Sequence, residues 1–393
     1  METTPQTVRE TLAHLRDLPP VSAPRRVAAL AKLWQQVPLA PPQKTGSFPW
    51  AQVRLGVEAL ARSAPHCSEP GNLEKSGILA LILAGNTPLL AWPVLHYAVL
   101  LGIPVFIKQS RDETIWTRHF VETLAQIDAE VAALLHLDLF PGDDPRTHAL
   151  VQNADAVIAY GGDKAIVALR EATPEATSFQ GFGHAISIGL WTGKDNFAEF
   201  NDSLTSTVAS SFGVGLDCLA YNQSGCLSLQ ALFVESSCLE YLIEFLKGDG
   251  MPRAAETLGI LTPSKAADAL RIREARDLAL MEGSDVLGDS DLGWTIIVHK
   301  ETCELPLPTG FGVLHLMPMD DLAVFGEFLG LVKGRLSSVG VSGELSDDLR
   351  AAIEAEGVSR ICRAGEMQTP PLDWHNGGVD LRELLHDFFT AGA

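Results

Sequence analysis

GILALILAGNTPLLAWPVLHYAVLLGIPVFIKQS, residues 77–110, decides how the chain folds. The run from Gly77 to Gly85 is apolar throughout, too short for a helix of its own and closed by a turn, the pattern of a strand buried in a parallel sheet. Gly85-Asn86-Thr87-Pro88 turns the chain into an apolar helix that runs to Gly102. A second apolar strand, PVFIKQS, follows, so the stretch reads as a βαβ unit. The breaks at Gly85 to Pro88, at Trp92-Pro93 and at Gly102 exclude a membrane span.

Outward from this unit, a helix is expected around TIWTRHFVETLAQ (114–126), then a strand ADAVIAY (154–160), a Gly161-Gly162 turn, a helix AIVALREA (165–172) and a strand HAISIGL (184–190). That order predicts a doubly wound α/β domain. A helical stretch at about 201–213 leads to LDCLAYNQSGCLSLQ (216–230), read as an irregular loop entering the strand ALFVE (231–235). A second α/β unit is predicted beyond it, with a helix at 237–248, strands at TIIVHK and GVLHLMP, and a helix at 322–334. Residues 1–65 read as helices with Pro-rich joints that wrap the N-terminal side, and MQTPPLDWHNGG (367–378) as a fixed loop returning to the body. The expected division is 1–217, 218–364 and a returning segment 365–393, with α/β architecture in both domains.

A chain of 393 residues calls for two domains, and its 46 % hydrophobic content suffices for a large core. The 29 Lys and Arg against 49 Asp and Glu leave a net charge of −20, spread along the sequence. This argues against nucleic acid or an anionic membrane surface as partner. The N-terminal residues do not read as a secretory signal, so a cytoplasmic protein is expected. Six cysteines form no Cys-x-x-Cys pair and no spacing suited to zinc, so no metal is expected and each is read as a free thiol.

Cys226, in Tyr221-Asn222-Gln223-Ser224-Gly225-Cys226, stands in a polar loop behind a glycine, which suits a nucleophile that a carbonyl must approach closely. Cys218, Cys238, Cys303 and Cys362 lie in or beside apolar runs and read as structural. Asn86 falls at the carboxyl edge of a parallel strand, where its amide could serve an oxyanion or cap the following helix. Lys108 ends the strand VFIK, either reaching a cofactor's hydroxyls or phosphate or snorkelling to solvent. Gly161-Gly162 permits close approach to a pyrophosphate, although the full Gly-x-Gly-x-x-Gly fingerprint is missing. His375 either lines a cleft or is structural.

Taken in order, AGNTPLLAWP, VFIKQSRDE, AYGGDKAI, GFGHAISI and YNQSGCLSLQALFV resemble the aldehyde dehydrogenase superfamily, and most closely its LuxC-like acyl-CoA reductase branch, over about residues 75–378. The resemblance implies an aldehyde dehydrogenase-like fold, a Rossmann-like cofactor domain beside an α/β catalytic domain. It implies Cys226 as the acyl-carrying nucleophile, Asn86 as oxyanion donor, and Lys108, Gly161, Gly162 and Gly183 as cofactor-binding residues. NADPH is the expected cofactor, with NADH as the alternative. The expected reaction is reduction of an acyl-CoA or acyl-carrier thioester, with a long fatty chain, to an aldehyde. Oligomerisation is expected by analogy with the superfamily. In oxidising aldehyde dehydrogenases a Glu-Leu-Gly-Gly type segment supplies a base to activate water. Here Gln180-Gly181-Phe182-Gly183-His184 stands in its place without that Glu, which favours thioester exchange over hydrolysis. Two alternatives remain at this stage. One is an acyl-phosphate reductase of the glutamyl phosphate type, disfavoured because residues 214–234 contain no Arg or Lys. The other is a cofactor-free acyltransferase that uses the same cysteine.

Overall fold

Five short strands, three of them apolar and fully buried, assemble into the first sheet. In the computed structural model, which describes residues 4–71, 73, 77–192, 202–260, 262, 263, 265–302, 309–332 and 334–390, these are β1 (Leu79–Ile82), β2 (Val105–Gln109), β3 (Leu135–Leu139), β4 (Ala156–Tyr160) and β5 (Ser178–Phe182). Their order is β3-β2-β1-β4-β5, all parallel, with Leu79 in register between Val105 and Ala156. β1, β2 and β4 are buried along their whole length, which is why they read as unbroken apolar runs. β3, only partly buried at the edge of the sheet and carrying His136 and Asp138, has no such run and escapes the sequence reading. Because the chain winds one way from β1 to β3 and the other way to β5, the connections leave the carboxyl ends of β1 and β4 in opposite directions. That switch point is where open α/β sheets receive ligands.

The helix Trp92–Leu101 between β1 and β2 is buried on every face except at Pro93. A helix apolar all round must be covered on both sides. The N-terminal helix Ala23–Gln36 and the C-terminal helix Leu381–Thr390 both pack on it, so the expected N-terminal wrap and the returning tail share one structural purpose. Trp34 Nε1 donates to His96 Nδ1 at 3.0 Å, and His96 Nε2 lies 3.2 Å from the Cys67 carbonyl. These bonds fix His96 as a neutral ring, and burial lowers its pKa to about 4. The helix stops at Gly102, whose φ of +79° lets Ile103 N–H reach back to Ala98 O at 2.8 Å. In the returning segment, a Cβ added at Gly377 would stand 3.6 Å from the Phe182 ring at the end of β5.

The second sheet holds β6 (Ile186–Trp191), β7 (Leu229–Glu235), β8 (Asp285–Gly288), β9 (Thr295–Val298), β10 (Val313–Met319), β11 (Leu336–Ser342) and β12 (Arg360–Arg363). Their order is β12-β11-β6-β7-β10-β9-β8, parallel except for the β8–β9 pair. Phe233 on β7, fully buried between Phe325 and Phe328, anchors one face, and Leu232, Leu242, Met251 and Leu316 fill the other. Burying a side chain of Phe size contributes about 1.5–3 kcal/mol.

The chain divides into two compact units, Met1–His184 with Pro371–Ala393, and Ala185–Pro370. Four sequence expectations change. HAISIGL becomes β6 of the second sheet and not part of the first domain, because an apolar parallel strand carries no mark of which sheet it joins. The change of unit falls at 184/185 and not at 217/218, and the return falls at 370/371 and not at 364/365. Residues 216–219 are the last turn of the helix Asp202–Leu219 and not loop, since Leu219 and Cys218 pack into the core. Cys303 lies outside the described residues. Among the described residues no helix is long and apolar enough to cross a membrane.

The contact of buried His315 with half-buried His299 is expected to make the second unit acid-sensitive. His299 Nε2 and His315 Nδ1 lie 3.0 Å apart, and burial together with the neighbouring imidazole lowers His315 to about 3. The unfolded chain, with an ordinary histidine near 6.5, therefore binds the proton first. The stability that depends on a neutral His315 is full above 6.5 and is lost as the pH falls from there towards 3. The expected slope is about 1.4 kcal/mol per pH unit for one proton. Asp217, raised to about 7 by burial, acts in the opposite sense over part of this range. Denaturant melts of parent and His315→Gln between pH 7 and 4 separate the two: the gap between the curves should change with pH, and parallel curves would exclude His315 as the source.

Candidate active site

The turn after β1 brings the first set of polar groups to the carboxyl edge of the first sheet. Gly85 is required there: a Cβ on it would stand 2.4 Å from Ser110 Oγ and 2.8 Å from Asp112 Cβ, in the loop after β2. The two loops thus touch, and Asn86 lies exposed at the tip. The following helix begins at Trp92 with Ala91 as its cap, so capping of that helix is not the role of Asn86. Thr87 Oγ1 is buried in the same turn with no hydrogen-bond partner among the described residues. A buried hydroxyl left unpaired is costly, and it is the kind of group a ligand satisfies.

Lys108, on β2, is 6 % exposed. It makes no ion pair or hydrogen bond among the described residues, and its Nζ lies 5.9 Å from the centroid of the Phe140 ring. Burial, and secondarily the charge of Arg111 in the next loop, lower its pKa from the ordinary lysine value. An ammonium near an aromatic face and within the field of a second cation has no anion partner among the described residues. The Gly161-Gly162 turn after β4 has room above it: the nearest atoms to an added Cβ are 3.5 Å and 3.9 Å away. Neither glycine is needed for packing, and Gly162 caps the helix Asp163–Ala172, whose first N–H groups face the same edge. Gly183 differs. A Cβ there would meet Asp163 Oδ1 at 2.6 Å, and that oxygen accepts the His184 N–H at 2.8 Å, so the glycine has a structural reason of its own. His375 is largely exposed and pairs with Asp380 at 3.4 Å.

The second set is built around Cys226, at the amino end of β7. Tyr221, Asn222 and Gln223 all have φ near +55°. Three successive non-glycine residues in the left-handed region cost about 1–3 kcal/mol each and persist only where the surroundings enforce them. The loop that leaves them is fixed at every step. Gly225 N–H donates to Ser228 Oγ at 3.1 Å, and Gln368 Nε2 donates to the same hydroxyl at 3.2 Å. Ser187 Oγ on β6 donates to the Cys226 carbonyl at 2.6 Å, and Ser338 on β11 donates to Ser187 through both N–H and hydroxyl. The buried carboxylate of Asp217 accepts Gly365 N–H at 2.5 Å and Met367 N–H at 2.9 Å, which holds the turn that carries Gln368.

The Cys226 thiol is half-buried. Burial raises its pKa above the ordinary thiol value, opposed by hydrogen bonds from the Ser337 hydroxyl and from the N–H groups of Cys226 and Leu227. Among the described residues of its own unit no charged side chain lowers the pKa. What the site offers is aim and a set of donors to a charge that develops at sulfur. Other described cysteines are also raised by burial. Cys218 is fully buried and raised well above its usual range, and Cys362 is pushed up to about 12.

Ser187, Ser337, Ser338, Gln223 and Gln368 were not singled out by sequence reasoning. The signal for the serines is present, since ISIGL and LSSVGVS carry hydroxyls at positions that a buried strand would normally fill with apolar side chains.

Comparison with known proteins agrees with this architecture. Residues 71–387 match the family described as Acyl-CoA reductase (LuxC). A long-chain acyl-protein thioester reductase of Aliivibrio fischeri is 24 % identical over 300 residues, 74 % of this chain and 59 % of that protein. Long-chain acyl-protein thioester reductase 2 of Photobacterium leiognathi is 26 % identical over 169 residues, 42 % of this chain and 33 % of that protein. The matched region thus spans less than two thirds of either relative. In fold, the chain is similar to an NAD-dependent aldehyde dehydrogenase from Sinorhizobium meliloti, with a TM-score of 0.74 at 15 % identity over 99 % of this chain and 86 % of that one. It is also similar to glyceraldehyde-3-phosphate dehydrogenase GapN from Methanocaldococcus jannaschii, solved with NADP, with a TM-score of 0.70 at 13 % identity over 97 % and 90 % of the two chains. The fold is therefore that of the aldehyde dehydrogenases, and the chain belongs to the LuxC family of acyl-CoA reductases.

Proposed function

We propose that the protein reduces a long-chain acyl thioester to an aldehyde, with Cys226 as the acyl-carrying nucleophile and NADPH as reductant. The observation that carries this reading is the half-buried thiol, bonded by backbone N–H groups and Ser337 and set behind a strained left-handed turn. The thiol loses its proton and attacks the thioester carbonyl, the carrier leaves as a thiol, and the acyl group remains on sulfur. Asn86 donates its amide to the oxyanion, as the family resemblance implies. A reduced nicotinamide, when bound, would supply the hydride, and the resulting tetrahedral adduct on Cys226 would collapse to aldehyde and thiolate. Two features support thioester over acyl phosphate: the absence of Arg and Lys from residues 214–234 and the long-chain thioester substrates named for the relatives. No acidic side chain stands among residues 180–184 to activate water on the acyl enzyme.

For the cofactor, Lys108 with Arg111 after β2, the orphan Thr87 hydroxyl and the open Gly161-Gly162 turn together fit a ligand that carries several phosphates. An arginine near the end of the second strand favours a 2′-phosphate over a free ribose hydroxyl. Lys108→Met and Arg111→Glu should each weaken NADPH binding by about tenfold or more, with a smaller change for NADH. Calorimetric titration with both cofactors checks this, and equal losses for the two would remove the 2′-phosphate from the assignment. The reaction itself is tested by mixing protein, NADPH and a long-chain acyl-CoA, and following the reduced nicotinamide absorbance together with aldehyde by chromatography. Loss of absorbance with stoichiometric aldehyde supports the reading; a stable acyl adduct on Cys226 without hydride transfer would assign acyl transfer instead.

A further inference from the structure

Three consecutive left-handed residues end two residues short of a candidate nucleophile. Among the described residues the buried amide of Gln223 is placed to hold them, beside weaker contacts from Ser224 Oγ to Asn222 O at 3.2 Å and from Gln230 Nε2 to Gln223 O at 3.4 Å. Gln223 is 2 % exposed. Its Nε2 donates to Leu229 O at 2.7 Å and to Val313 O at 2.8 Å, and its Oε1 accepts Val313 N–H at 2.9 Å. One amide therefore satisfies the first residues of two neighbouring strands, β7 and β10, where their own ladder has not yet begun. A weaker contact runs from Nε2 to Cys218 Sγ at 3.4 Å, on the last turn of the preceding helix. The backbone carbonyl of Asn222 accepts Phe311 N–H at 2.8 Å, and that residue belongs to a second left-handed turn, Gly310-Phe311-Gly312. The two strained turns lie against each other, and the amide of Gln223 is the bolt between them.

Resting on the reading of Cys226 as nucleophile, we propose that Gln223 is its positioning residue: the side-chain amide holds Tyr221–Gln223 in the left-handed turn and thereby sets the direction in which the thiol leaves the sheet. Gln223 touches no reacting atom in this assignment. Its effect passes through Ser224 and Gly225, whose bonds to Tyr221 O and Ser228 Oγ carry the turn into the cysteine. Removing the amide leaves two carbonyls and one N–H unpaired in the core, and the turn relaxes towards right-handed or extended backbone.

The test uses the whole protein with NADPH and acyl-CoA, in the parent, Gln223→Leu, Gln223→Glu, and Gln223→Leu combined with Tyr221→Gly and Asn222→Gly. Gln223→Leu should lower kcat about 100-fold with NADPH affinity unchanged, since a misplacement of about 1 Å at the nucleophile costs that much. Glycine takes the left-handed turn without penalty, so the glycine background should recover at least about tenfold of that loss; a role in packing alone predicts no recovery. In Gln223→Glu the ionised side chain repels the two carbonyls. The rate of Cys226 alkylation relative to the parent, read by peptide mass spectrometry, should therefore rise as the pH is lowered and that carboxylate protonates. If Gln223→Leu does not fold, Gln223→Glu decides on this ratio alone. A folded Gln223 variant with kcat within threefold of the parent, or a flat alkylation ratio, overturns the inference. Turnover surviving in Cys226→Ala would instead sink the nucleophile assignment, whatever the Gln223 variants do.

Discussion

Cys226→Ala is expected to abolish aldehyde formation, lowering turnover by on the order of 10⁴-fold or more, because a covalent step has no substitute once its nucleophile is gone. The substitution removes one half-buried sulfur and leaves the loop bonds of Ser187, Ser228 and Gln368 intact, so folding and cofactor affinity should be unchanged. In the parent, intact mass after mixing with acyl-CoA alone should show one acyl group; in Cys226→Ala it should show none. The pH dependence follows from the direction of the thiol shift. Burial raises the Cys226 pKa above the ordinary value, so the reactive thiolate is a small fraction near neutrality. The rate of acylation should then climb about tenfold per pH unit until the raised pKa is reached. A plateau already present at neutral pH would show that substrate or cofactor binding supplies the charge that lowers the pKa. An acyl adduct on Cys362 or Cys67 in its place would transfer the nucleophile role.

The second large effect is expected at Asn86. Asn86→Ala should reduce kcat by about 10²–10³-fold, the usual consequence of deleting one oxyanion donor, with little change in the affinity for acyl-CoA. The helix after it is capped at Ala91 and begins at Trp92, so loss of a cap cannot account for such a drop. The melting temperature should stay within the few degrees typical of an exposed turn residue. Asn86→Asp, which offers an acceptor with a negative charge where the donor stood, should be at least as damaging. A rate within threefold of the parent in Asn86→Ala would remove the residue from the oxyanion role and leave the backbone N–H groups at Cys226 and Leu227 as the donors.

How much of this was legible without coordinates depends on burial. β1, β2, β4, β7, β9 and β10 are apolar along most of their length because they are covered on both faces, and each stands out in the sequence for that reason. β3, β8 and β12 lie at or beside sheet edges with partly exposed residues, and nothing in their composition separates them from loop. β11 is the instructive case. It is buried, yet Ser337, Ser338 and Ser342 interrupt its apolar pattern. The hydroxyls of Ser338 and Ser337 are the ones that reach Ser187 and the Cys226 thiol, so part of what hid the strand also serves the site.

Cys226, Asn86 and Lys108 were visible from sequence because each is a reactive or polar residue where a strand meets a turn. Their surroundings were not. The left-handed run at Tyr221–Gln223 has no glycine to announce it, and its stabilising partners, Leu229 and Val313, stand six and ninety residues away from Gln223. Asp217 draws its N–H donors from residues 148 and 150 positions further on. Local patterning by itself determined the βαβ units, the α/β class and the candidate nucleophile, because these follow from which side chains must leave water and from chemistry carried by single residues. Only the tertiary structure decided which sheet β6 joins, why the thiol pKa is raised, and which amide holds the strained turn, because each is set by groups that meet only after distant segments have packed.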